Sequence, residues 1–171
     1  MREEVTGTAL EHLSRGLFEA HARDEAGWEQ EGGHRQMWDG ARDAAFSNPV
    51  ISPEVFAGIM ARRGQEPALL FPALGSQVER LVCFMVNVLA IEVFARSTFI
   101  WAEEVLSDPT VSDAPKEATN LVLYIRSDEA PNVEYLRTAL SEITARTLYS
   151  PDGREYSGQW WPRLWIAPCA R

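Results

Sequence analysis

The sequence predicts an all-α fold, a bundle of long antiparallel helices. Apolar residues recur at steps of three and four over long stretches, and Pro and Gly cluster between those stretches. No segment alternates convincingly at period two, so no sheet is expected. The chain has 171 residues, of which 46% are hydrophobic and 24% charged. That suits one globular core and excludes a disordered chain.

The first helix is expected near residues 2–46. Leu10, Leu13, Leu17, Ala20, Trp38, Ala41 and Ala45 mark its apolar stripe. Gly16, Gly27, Gly32 and Gly33 interrupt it, each at about 1 kcal/mol relative to Ala in a helix interior, which allows a bend or break between Arg23 and Gly33. Gly27, Gly32 and Gly33 could instead admit a close helix neighbour. Asn48-Pro49 stops the pattern, and Ser52-Pro53-Glu54 restarts it as a short helix over 53–63, with Ser52 as N-cap. Gln65 to Gly75 reads as a connection.

A second long helix is expected over 76–106. Its stripe is Val78, Leu81, Met85, Val88, Phe99 and Leu106, with Glu92 and Glu103 on the same line. Asp108-Pro109 ends it. A third, over 115–148, opens at Asp113-Ala114-Pro115 and places Glu129 and Asn132 among Leu121, Ile125, Leu136, Leu140 and Ile143. Pro131 must kink this helix or mark a new start capped by Asp128. The bundle domain thus covers 1–149. The tail, 150–171, holds Trp160, Trp161 and Trp165 and reads as irregular, anchored by its aromatic rings.

The formal charge is -9, and no run of Lys or Arg forms a local basic patch, which argues against a nucleic-acid partner. The longest apolar stretch, 81–95, is short for a membrane span and contains Asn87 and Glu92. Cys83 and Cys169 do not suggest a disulfide framework. With no apolar core in the opening MREEVTG, these features lead to the expectation of a soluble, cytoplasmic protein.

Carboxylates on a buried stripe are costly unless paired, yet each long helix carries one. Asp24 and Glu31 lie on the first, Glu92 on the second and Glu129 on the third. Glu31-Gly-Gly-His34 sets a carboxylate and an imidazole three residues apart, and Glu129-Ala-Pro-Asn132 repeats the spacing with asparagine. Glu92 and Glu129 are similarly distant from the turn near Ser112, so an antiparallel hairpin would bring them to one level. Asp24-Glu25-Ala-Gly-Trp28 and Asp128-Glu129-Ala-Pro-Asn132 also read alike.

On these residues the sequence resembles the ferritin-like di-iron carboxylate family, whose bundle core draws a Glu from each of two helices and a Glu-x-x-His from each of two others. The resemblance implies metal ligands at Glu31, His34, Glu92 and Glu129. Under the alternative alignment of the D-E-A strings, Glu25 is the carboxylate and Trp28 stands in the histidine's place, while Asn132 occupies the position of the second histidine. The likeness spans roughly residues 17–147, three of the family's four helices. It implies iron or manganese, oxidoreductase or oxygenase chemistry on a small-molecule substrate, and a homo- or hetero-oligomer. The two substituted histidines imply the alternative of a non-catalytic subunit that lacks metal and acts as an assembly or binding partner.

Structural roles compete with each assignment. Glu31 and His34 could be a solvent-facing pair beside a break at Gly32-Gly33. Asp128 and Glu129 could open a restarted helix, where the macrodipole favours acids. Glu92 could be ion-paired to Arg96 or Arg126. All three histidines, His12, His21 and His34, fall within the expected first helix, so a site drawing histidines from several helices is not expected, and His12 and His21 read as surface or structural residues. No phosphate loop, C-x-x-C or G-x-S-x-G motif occurs.

Overall fold

A computed structural model describes residues 3–47, 49–61 and 75–160. The expected first helix is broken into three α-helices joined by a π-type segment and a hairpin. It comprises α1 (Ala9–His12), a π-type segment over Leu13–Leu17, α2 (Phe18–Ala26), a two-residue hairpin of β1 (Gly27–Trp28) with β2 (Glu31–Gly32), and α3 (His34–Ala45). Arg15 and Gly16 leave helical geometry, with Gly16 at φ 131°, so the chain kinks one turn before His21. Glu142 accepts from the backbone N–H groups of Ala9 and Leu10 at 3.0 Å, using its charge to satisfy the open start of α1.

The break at the glycines has a steric cause. Gly27 sits at φ 87°, where a Cβ would meet the Glu31 carbonyl oxygen at 2.6 Å and the Gly33 nitrogen at 2.7 Å. A Cβ on Gly33 would fall on the Glu25 carbonyl oxygen and the Gly27 nitrogen. These residues close a loop back onto the end of α2; they do not thin a helix for a neighbour.

After α3, Ser52 caps α4 (Pro53–Ala61), its hydroxyl accepting from Val55 N–H at 3.3 Å. The rest of the expected 53–63 helix and the 65–74 part of the connection lie outside the described residues. α5 (Ser76–Leu106) and α6 (Pro115–Thr144) form an antiparallel hairpin, and α6 also packs against α1 and α3. α6 is continuous through Pro131, so Asp128 and Glu129 do not cap a restarted helix. It ends before the expected residue 148, because Thr147–Tyr149 forms β3, paired antiparallel with β4 (Glu155–Ser157). This second hairpin, followed by a 3-10 turn over Gly158–Trp160, straddles the expected boundary at 149/150 and corrects the expectation of an irregular tail for residues 150–160; residues 161–171, Trp161 and Trp165 among them, lie outside the described residues. Two short hairpins therefore stand where no sheet was expected; both are too brief for a period-two pattern to register.

Two apolar clusters fill the bundle. One joins Leu10 and Leu13 to Val82, Met85, Leu136 and Ile143. The other joins Ala41 and Ala45 to Phe99, Leu106, Val122 and Ile125. Between them, on α5 and α6, lie the buried polar residues Glu92, Glu129 and Asn132. Val78 and Leu81, expected on the buried stripe, are exposed. Cys83 is buried. Among the described residues, no helix is long and apolar enough to cross a membrane.

Candidate metal centre

The polar layer is assembled from four helices. On α2, His21, Asp24 and Glu25 are spaced i, i+3 and i+4 and so share a face. α3 begins with His34, α5 contributes Glu92, and α6 contributes Asp128, Glu129 and Tyr135. His21 and His34 come from different helices because of the glycine-rich hairpin, which overturns the expectation that no site could draw histidines from several helices.

His21 is buried, so of its two expected roles, surface or structural, the surface one does not hold. Its Nε2 lies 3.1 Å from Glu92 Oε1 and its Nδ1 2.8 Å from the Tyr135 hydroxyl. Glu92 is therefore not paired with Arg96 or Arg126; Arg126 instead pairs with Glu103 at 2.9 Å. His34 Nδ1 lies 3.0 Å from Glu25 Oε1 and 3.7 Å from Glu129 Oε1, and its Nε2 lies 3.4 Å from Asp128.

Two groups of donor atoms result, each lying within 4.8 Å of one another. They are His21, Glu25 and Glu92, and Glu25, His34 and Glu129. Glu25 belongs to both. Its side chain is 50% exposed, so the layer opens to solvent there, while Glu129 is buried. Beside this opening is a cleft of about 590 Å³ lined by Arg23, Asp24, Trp28, Glu31 and Asp128. Trp28 lies under the Arg23 guanidinium at 4.0 Å and contributes no ligand.

Glu31 is the expected ligand that the fold displaces. It lies exposed on β2, lines the cleft and belongs to neither donor group, because Glu31-Gly-Gly-His34 is a hairpin strand leading into a helix start. His34, Glu92, Glu129 and the alternative Glu25 are brought together; Asn132 is buried one turn beyond Glu129, its Nδ2 without a hydrogen-bond partner. The residue that sequence reasoning did not place in the site is His21. Its signal was the i, i+4 spacing to Glu25 on the turn that carries the D-E-A string.

The electrostatics follow from carboxylates that outnumber nearby cations. Burial, then the hydrogen bond and charge of Glu92, push the Glu129 carboxyl up to about 9. Burial also acts to raise Glu92, but hydrogen bonds from His21 and Glu129 outweigh it and hold Glu92 below its ordinary value. Of the pair, Glu129 is the carboxyl that holds a proton more tightly. Burial works against a charged His34, yet hydrogen bonds and charge from Glu25 and Asp128 leave it raised. Burial and the charge of Asp128 raise Asp24. Burial and then Glu92 push Tyr135 up to about 12, so its hydroxyl stays protonated.

The donor set fits a metal ion. Two imidazoles and three carboxylates converge, Glu129 Oε2 is buried without a hydrogen-bond partner, and negative charge exceeds what the two histidines can balance. No protein-family model matches the chain, and neither a curated protein nor a solved structure does.

Proposed function

We propose that the chain is a ferritin-like carboxylate–histidine metalloprotein of oxidoreductase type, holding two iron or manganese ions with Glu25 shared between them. The observation that carries this reading is the pair of overlapping donor groups with Glu25 common to both. In it His21, Glu25 and Glu92 hold one ion, and Glu25, His34 and Glu129 hold the other. Imidazole and carboxylate donors suit iron and manganese. When bound, such a pair supplies one-electron redox chemistry and oxygen activation for a small-molecule substrate.

The surrounding residues prepare the donors. The Tyr135 hydroxyl accepts from His21 Nδ1–H in one tautomer, which frees the Nε2 lone pair to face the site. The proton on Glu129 leaves when its carboxylate becomes a ligand, so metal uptake strengthens as pH rises toward 9. The acidic cleft beside Glu25 attracts cations to the open side of the layer. A cytoplasmic location goes with this reading.

A second reading, a non-catalytic bundle acting as an assembly partner, is favoured by the apolar outer face of α5 and by Trp28 and Asn132 at the expected histidine positions. Metal content separates the two. Glu92→Ala is expected to abolish metal binding while helicity measured by circular dichroism is largely kept; stoichiometric metal in that variant would contradict the metalloprotein reading.

A further inference from the structure

α5 is apolar on two opposite sides. Its inner side carries Val82, Met85, Phe99 and Leu106, all buried. Its outer side carries Phe84, Ile91, Phe94 and Trp101, exposed by 56%, 63%, 74% and 62%. The steps between these four are seven, three and seven residues, the repeat of a coiled-coil seam. Among the exposed residues from Leu81 to Trp101, Arg96 is the only charged one. A helix that is apolar all round is normally buried all round.

We infer that this outer face is the interface of a homodimer in which α5 packs antiparallel against α5 of a second copy. Area and charge point to that occupant. The four exposed side chains offer roughly 500 Å² of apolar surface, taking about 200 Å² for a full side chain. That is near the upper end for the largest patch on a monomer. Two copies would bury about 1,000 Å² from these residues alone, the threshold for a specific interface.

Charge gives the orientation. Arg80 and Glu104 are exposed near opposite ends of α5, and neither has an ion-pair partner among the described residues. Twenty-four residues at 1.5 Å rise separate them by about 36 Å. An antiparallel two-fold arrangement centred near Glu92 sets each Arg80 beside the Glu104 of the second copy. A parallel arrangement sets like charges together. The antiparallel seam also opposes the two helix dipoles, and the isologous contact closes after two copies. The inference concerns only the outer face of α5 and stands or falls independently of metal binding.

The test is sedimentation velocity of the full chain, with Ile91→Asp and Arg80→Glu variants and the double variant Arg80→Glu/Glu104→Arg. Wild type is expected to sediment at twice the 19.2 kDa chain mass. Ile91→Asp should weaken association about a hundredfold with circular dichroism unchanged. Arg80→Glu should weaken it about fivefold, and the double variant should restore it. Three results would overturn the inference: a wild-type monomer at ~100 μM, above the weak end of specific affinities; a dimer that Ile91→Asp leaves intact; or charge variants that do not compensate. In a monomer, hydrogen-exchange protection along the outer face of α5 would assign its cover to another segment of this chain.

Discussion

Two acidic residues on one helix meet opposite fates. Glu103 and Glu92 lie eleven residues, about three turns, apart on α5, and both turn toward α6. Glu103 finds the Arg126 guanidinium at 2.9 Å, and the account closes there as a partly exposed ion pair. Glu92 finds Glu129, another acid, with His21 as its hydrogen-bond partner at 3.1 Å. A buried carboxylate by itself thus identifies nothing. A buried carboxylate facing more acid than base is, by contrast, a candidate functional site.

The largest expected effect separates these two levels directly. Glu25→Ala, at a half-exposed position whose loss leaves the apolar clusters untouched, should lower metal affinity at least about a hundredfold. Glu103→Ala should leave it unchanged. Elemental analysis after equilibrium dialysis checks both, and equal loss in the two variants would erase the distinction.

Next comes pH. In the metal-free protein Glu129 keeps its proton up to about 9, whereas unfolded it loses it near 4.5. Between those values the folded state binds the extra proton, so stability falls as pH rises. His34 acts in the same sense, since its raised folded value gives stability that is present below 6.5 and lost as pH climbs through it. Glu92 has the opposite sign, but its window lies below 4.5. The thermal midpoint of the metal-free protein should therefore drop by roughly 5 °C from pH 5 to pH 9, and Glu129→Gln should remove most of that slope. A midpoint that rises over this range would contradict the proton held on Glu129.

The smallest effect lies at the paired level. Glu103→Gln leaves Arg126 without its counter-charge and should cost about 1 kcal/mol, read by urea denaturation. It should not alter the pH slope.

The same contrast explains what was legible in the sequence. α5 and the start of α6 fall where Gly75, Pro109 and Pro115 punctuate, since proline and glycine act locally and need no tertiary context. The shared level of Glu92 and Glu129 followed from counting outward from one turn. The Gly27–Gly33 hairpin was not legible in detail, because its glycines are required by contacts between Glu25, Gly27 and Gly33 that exist only once the loop has closed. That loop moves Glu31 out of the polar layer and lets His34 approach Glu25 from a separate helix. The place of His21 in the layer was not legible for a related reason: its partners Glu92 and Tyr135 lie 71 and 114 residues away in sequence. The D-E-A likeness between residues 24–26 and 128–130 was the better guide, as Glu25 and Glu129 both face His34.

The most direct test of the metal centre is the metal content of freshly purified protein, measured before and after anaerobic addition of ferrous iron. Two ions per chain, with a near-ultraviolet band appearing on exposure to air, is the predicted result. No bound metal under either condition would contradict it and leave the polar layer with a structural role alone.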